Sequence, residues 1–114
     1  MALPSHRQLL SSVRRLTDST GRHGTHVDLF PLTIRSSDGK VCRIVASVPR
    51  NKKVYRSTVN QIADTLRIDR PDIEWWLEEG THEQLVARLE RYPADVLESL
   101  AIERRFLEFD RRQK

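Results

Sequence analysis

Two runs of alternating residues meet at a turn, and this pattern limits the fold more than any other. In residues 40–48, Cys42, Ile44, Ala46 and Val48 make one apolar face, while Val41 and Val45 lie on the other beside Arg43. A period of two belongs to a strand, whose side chains point to opposite faces in turn. Just before it, Ser36-Ser37-Asp38-Gly39 supplies a hairpin turn, with Gly39 free to take positive φ. Residues 25–35 read as the outgoing strand. His26, Asp28 and Phe30 alternate with Val27 and Leu29, and the apolar phase then shifts to Leu32 and Ile34. Pro31 stands at the shift. Proline has no N–H to give to a ladder, so it marks an edge position, a bulge or a break between two strands.

A small antiparallel sheet of two or three strands needs helices over its apolar face. Ser5 and Gln8 have capping-box spacing, and Leu9, Leu10, Val13 and Leu16 follow at helical spacing, so 5–17 reads as an amphipathic helix. After the hairpin, Pro49 ends the return strand. Ser57 or Thr58 is placed to cap a helix over 58–67 with Val59, Ile62, Ala63 and Leu66 inward. Pro71 suits the first turn of a helix over 71–79 that Gly80 ends. Thr81 and Gln84 start another over 82–91, and Pro93 opens a last one over 93–111. The expected fold is α+β. A domain over 4–68 has the order helix, antiparallel hairpin or three-stranded sheet, helix. A helical extension over 69–114 packs on it or serves association.

Charge divides the 114-residue chain. Residues 1–56 hold eleven Lys/Arg against three Asp/Glu, and residues 57–114 hold nine against thirteen, within an overall net charge of +4. A basic front half points to a polyanion, because each neutralised phosphate releases counterions. No apolar run approaches the roughly 20 residues that span a bilayer, and the N-terminus lacks the pattern of a signal peptide. Cys42 is the only cysteine, which rules out a disulfide framework and a cysteine-based zinc site. The expected compartment is the cytoplasm, with no membrane partner and no cofactor.

The chemistry-bearing residues cluster in the basic half. Arg22, His23, Gly24 and His26 stand at the mouth of the outgoing strand. Arg50, Lys52, Lys53, Tyr55 and Arg56 fill the loop after the return strand. Imidazole exchanges a proton near neutral pH, so His26 can act as general base toward a ribose 2′-hydroxyl, with His23 as a second acid/base group. The guanidinium and ammonium groups would stabilise charge developing on phosphate, Gly24 would let backbone approach the substrate, and Tyr55 would stack on a base or ribose. His6, His23, His26 and Asp28 do not make a recognised metal spacing, so no metal site is expected.

The same residues carry a family resemblance. Pro4-Ser5 opens a helix of suitable length. Gly24-Thr25-His26-Val27 is similar to a Gly-Ser/Thr-His strand start, Asp38-Gly39 lies in the hairpin and Val48-Pro49 closes the strand. Thr58-Val59-Asn60-Gln61-Ile62, with Ile68-Asp69 beyond it, matches a Thr-Leu-x-x-Ile helix and its exit. In this order, over about residues 4–73, the chain resembles the HicA family of mRNA-interferase toxins, small double-stranded-RNA-binding-like domains. It departs from the pattern in four places. The stretch between His26 and Pro49 is longer, Arg67 takes a glycine position, Arg50-Asn51 follow Pro49 where many members have histidine, and the helical tail after about residue 80 lies outside the compact toxin pattern. The resemblance implies a metal-independent endoribonuclease using His26, and an antitoxin-like protein partner.

Two other classes fit the same sequence. Residues 58–80 also read as a helix-turn-helix, with Ala63 at the small-residue position and Ile62, Leu66, Ile68, Ile73 and Trp76 at packing positions. That would make the chain a DNA-binding regulator with 71–79 as recognition helix. Asp72, Glu74, Glu78 and Glu79 on that helix would repel phosphates. The third class is a non-catalytic module that holds nucleic acid by shape, or holds another protein. For a protein partner, Trp75 and Trp76 are candidate anchors. The last helix, with Val96, Leu100 and Leu107, is a candidate dimer seam.

Overall fold

The hairpin forms where the alternation puts it. In the computed structural model, which describes residues 2–98, the chain runs α1 (His6–Thr17), β1 (Arg22–His23), β2 (Val27–Arg35), β3 (Val41–Pro49), α2 (Arg56–Thr65), a 3-10 turn (Arg70–Asp72), α3 (Ile73–Glu79) and α4 (His82–Leu89). Residues 94–98 begin a further helix. The rest of the helix expected over 93–111, including its candidate dimer seam at Leu100 and Leu107, lies outside the described residues. The fold is mixed α+β: a helix, a three-stranded antiparallel sheet in the order β1-β2-β3, then helices.

Residues 27–35 pair one to one with 49–41, without a bulge. Gly39 takes φ +85° in the turn. The phase shift at Pro31 is neither a bulge nor a break, because β2 is continuous. β1 reaches only to the pair Arg22↔Leu29, so Pro31 lies just beyond it on the free margin of β2, where its missing N–H costs no ladder bond.

One face of the sheet is covered. Phe30, Leu32 and Ile34 of β2 and Cys42, Ile44, Ala46 and Val48 of β3 are buried against Leu9, Val13 and Leu16 of α1 and Val59, Ile62 and Ala63 of α2. Ile73 and Trp76 of α3, Leu85 and Leu89 of α4, and Ala94 and Leu97 join the same core. The described part of the expected extension therefore packs on the 4–68 unit. Both capping boxes form as the spacing predicts, Ser5 with Gln8 and Thr81 with Gln84.

α2 departs from expectation at both ends. It starts at Arg56 instead of 58 and has no side-chain cap, because the Tyr55 carbonyl accepts from the amides of Thr58 (3.1 Å) and Val59 (3.2 Å) and closes the first turn. It stops at Thr65 because Arg67 takes φ +58°. The Arg67 amide then donates to Asp64 O (3.2 Å) and that of Ile68 to Ala63 O (2.8 Å), which is a Schellman stop built on arginine.

α1 is bolted to the far end of α3. Ser12 Oγ donates to Leu77 O at 2.6 Å, and Arg15 donates to Gly80 O (2.8 Å), Trp76 O (3.2 Å) and Leu77 O (2.7 Å). These carbonyls lie at the C-terminal end of α3, where Trp76 O also accepts from the Gly80 amide (3.1 Å), and the guanidinium supplies both hydrogen bonds and favourable charge. No described helix is long and apolar enough to cross a membrane.

Candidate nucleic-acid interface

A four-residue turn decides where the histidines go. The Gly24 amide donates to Val27 O at 2.8 Å, which leaves Thr25 and His26 at the tip and brings His23 opposite Asp28. A Cβ on Gly24 would stand 3.0 Å from Val27 O, so the backbone that approaches this glycine is the chain's own. His26 is exposed, and its carbonyl accepts from the Arg50 amide at 3.1 Å, continuing the β2–β3 ladder one pair past the strand ends.

Asp28 is the hub. It follows the core-facing phase of Phe30, Leu32 and Ile34 but lies at the end of the sheet. There His23 Nδ1 meets its Oδ1 at 2.8 Å and Arg50 Nε approaches the same oxygen at 3.4 Å. Burial pushes the Asp28 carboxyl up, and the hydrogen bonds and charges of His23 and Arg50 outweigh it, leaving the group below its ordinary value of 3.8. An ionised carboxylate only accepts, so His23 Nδ1 must carry a proton, and Nε2 is turned away as the free nitrogen. The His23 side chain is 84% exposed. This end of the sheet therefore presents an oriented imidazole, a second imidazole at the turn tip and a guanidinium beside them.

The remaining cations divide between two surfaces. Arg22 pairs with Leu29 and so lies on the uncovered face of the sheet, opposite to His23. Lys52 and Lys53 are exposed in the loop that leaves Arg50, and Lys53 Nζ sits 5.3 Å over the ring of the half-exposed Tyr55. Arg56 opens α2, whose first turn holds no acidic residue, so the positive end of its dipole adds to the field of the loop. Across 22–28 and 50–57, Asp28 is the only carboxylate in the sequence.

The other two histidines hold structure together. His6 Nε2 donates to Pro49 O (2.9 Å) and His82 Nδ1 to Leu16 O (2.8 Å). Trp76 is 7% exposed and belongs to the core, whereas Trp75 is 43% exposed and meets it edge-to-face with centroids 5.1 Å apart. Of the two candidate anchors, only Trp75 therefore offers a surface. Among the described residues no group of three or more His, Cys, Asp or Glu is placed to hold a metal ion.

Sequence reasoning missed the role of Asp28. The signal was present. Once Gly24 and Val27 close a two-residue turn, positions 23 and 28 must face each other. Compared with known proteins, the chain matches no family model, no curated protein sequence and no solved structure.

Proposed function

We propose that the chain binds RNA at the β1–β2 end of its sheet and cleaves it there without a metal, His26 acting as general base and His23 as general acid. The observation that carries this reading is the His23–Asp28–Arg50 cluster beside the exposed His26. A base at His26 takes the proton of a ribose 2′-hydroxyl. The new P–O2′ bond forms as the P–O5′ bond breaks, and the departing oxygen takes a proton from His23. For that step His23 is the imidazolium: Asp28 accepts from its Nδ1–H, and the proton on Nε2 is the one delivered to the departing oxygen. Arg50 and the lysines of the loop stabilise the charge that builds on the phosphoryl oxygens. The product strand ends in a 2′,3′-cyclic phosphate.

The electrostatics favour this end of the molecule over the helix-turn-helix alternative. α3 has seven residues and carries Glu74, Glu78 and Glu79, which repel a phosphate backbone. The resemblance to the HicA-type toxins agrees with a histidine after glycine at the strand start, and implies an antitoxin-like partner.

The test is cleavage of end-labelled RNA by purified protein in chelator. Wild type should cut RNA and leave RNA with 2′-deoxy sugars intact. His26→Ala should slow the reaction by about 10²–10⁴-fold. An alanine variant as fast as wild type removes His26 from the chemistry. Binding without cleavage leaves only the RNA-holding half of the proposal.

A further inference from the structure

The far margin of the sheet carries the second inference. The bonds Arg50 N to His26 O (3.1 Å) and Ser36 N to Lys40 O (2.7 Å) flank the β2–β3 ladder, and both join even-numbered residues. In an antiparallel ladder the bonded pairs alternate, so the even residues of β3 face β2. The amides and carbonyls of Val41, Arg43, Val45 and Ser47 therefore point away from the sheet. Among the described residues no other group bonds to them.

Natural sheets blunt such edges with proline, bulges or very short strands. The free half of β2 has Pro31. β3 is nine residues long and pairs without a bulge, and its one proline is at its very end. Val41 is 64% exposed. The uncovered face beside this edge is cationic. Arg43 is exposed and makes no hydrogen bond or ion pair among the described residues, and Arg35 stands opposite Val41 one strand in. No position of β2 or β3 on that face is acidic.

We propose that β3 accepts an acidic extended segment of a partner protein as a fourth, antiparallel strand. Its carboxylates would lie beside Arg43, and its apolar residues beside Val41 and Val45. The main chain supplies the ladder and the alternate side chains supply selectivity. A second copy of this chain is a poorer occupant, because β3 paired with β3 would gather the Arg35 and Arg43 of both copies on one face with no carboxylate among them. RNA is poorer still, having no alternating N–H and C=O groups to continue the ladder. No residue of the histidine site enters here, so cleavage and strand docking stand or fall separately.

The probe is an acetylated eight-residue peptide in which threonine alternates with valine and glutamate, titrated into the ¹⁵N-labelled full chain. Saturable binding should slow hydrogen exchange at the amides of Val41, Arg43, Val45 and Ser47, and leave those of Cys42, Ile44 and Ala46 as they were. Antiparallel pairing turns the valine and glutamate amides toward β3. N-methylating them should abolish binding, while N-methylating the threonine amides should leave it within about threefold. Arg43→Glu should weaken binding at least about tenfold, and a peptide with lysine for glutamate should not bind. Equal binding by the two methylated peptides, or protection away from β3, overturns the proposal. So does protection of the four amides without peptide: at all dilutions it would show the edge filled by the chain itself, and at high concentration only by a second copy.

Discussion

Asp28 shows how one residue sets the chemistry of its neighbours. Its carboxyl lies below the ordinary value because it holds His23 and Arg50, so its stabilising contribution is present above the unfolded value near 3.9 and is lost as pH falls through the folded value. Urea midpoints of wild type and Asp28→Asn should therefore differ at neutral pH and converge as the pH falls through the folded value of Asp28. RNA cleavage by Asp28→Asn should drop at neutral pH while the fold persists, because asparagine can still accept from Nδ1–H but leaves the His23 imidazolium without a facing carboxylate. Gly21 is a backbone requirement of another kind. It has φ +87°, and a Cβ there would lie 2.7 Å from Cε1 of the buried Phe30. Gly21→Ala should cost about 1–3 kcal/mol in chemical denaturation.

Elements follow local sequence where one rule acts alone, and shift where two compete. The capping boxes and the Gly39 turn were legible because each is a short-range device with no rival. The start of α2 was not. Ser57 and Thr58 are good caps, but the chain leaving β3 already presents the Tyr55 carbonyl to two amides, and the helix begins there. Arg67 in the left-handed region was equally hidden, since glycine is the residue that usually announces such a stop. The bond set from α1 to α3 is long-range and leaves no mark at the level of periodicity. It has a measurable consequence: Arg15→Ala removes the donor to three carbonyls and should cost about 1–3 kcal/mol, whereas the neighbouring exposed Arg14→Ala should stay within about 0.5 kcal/mol.

Over the whole molecule, the division of charge along the sequence is kept only in part, because Arg7 and Arg15 of α1 line one cavity with Glu74 and Glu78 of α3. The basic loop and turn lie at one end of the sheet, and α3 carries its glutamates on a different element that is fastened to α1. Composition made that division legible. The pairing of His23 with Asp28 needed the register of a two-residue turn. Cys42 illustrates what burial does to a group that sequence alone leaves open: desolvation first, then the Glu98 carboxylate, push its thiol above the ordinary range. Its alkylation in the native chain should be far slower than in urea.

RNA retention across a salt series, followed by amide chemical shifts, tests most directly whether the sheet end is a polyphosphate surface. Binding should weaken steeply as salt rises, with shifts concentrated in residues 22–28 and 50–57 and little change in α3. Failure to retain RNA in dilute buffer, or shifts centred on α3 instead, would contradict it.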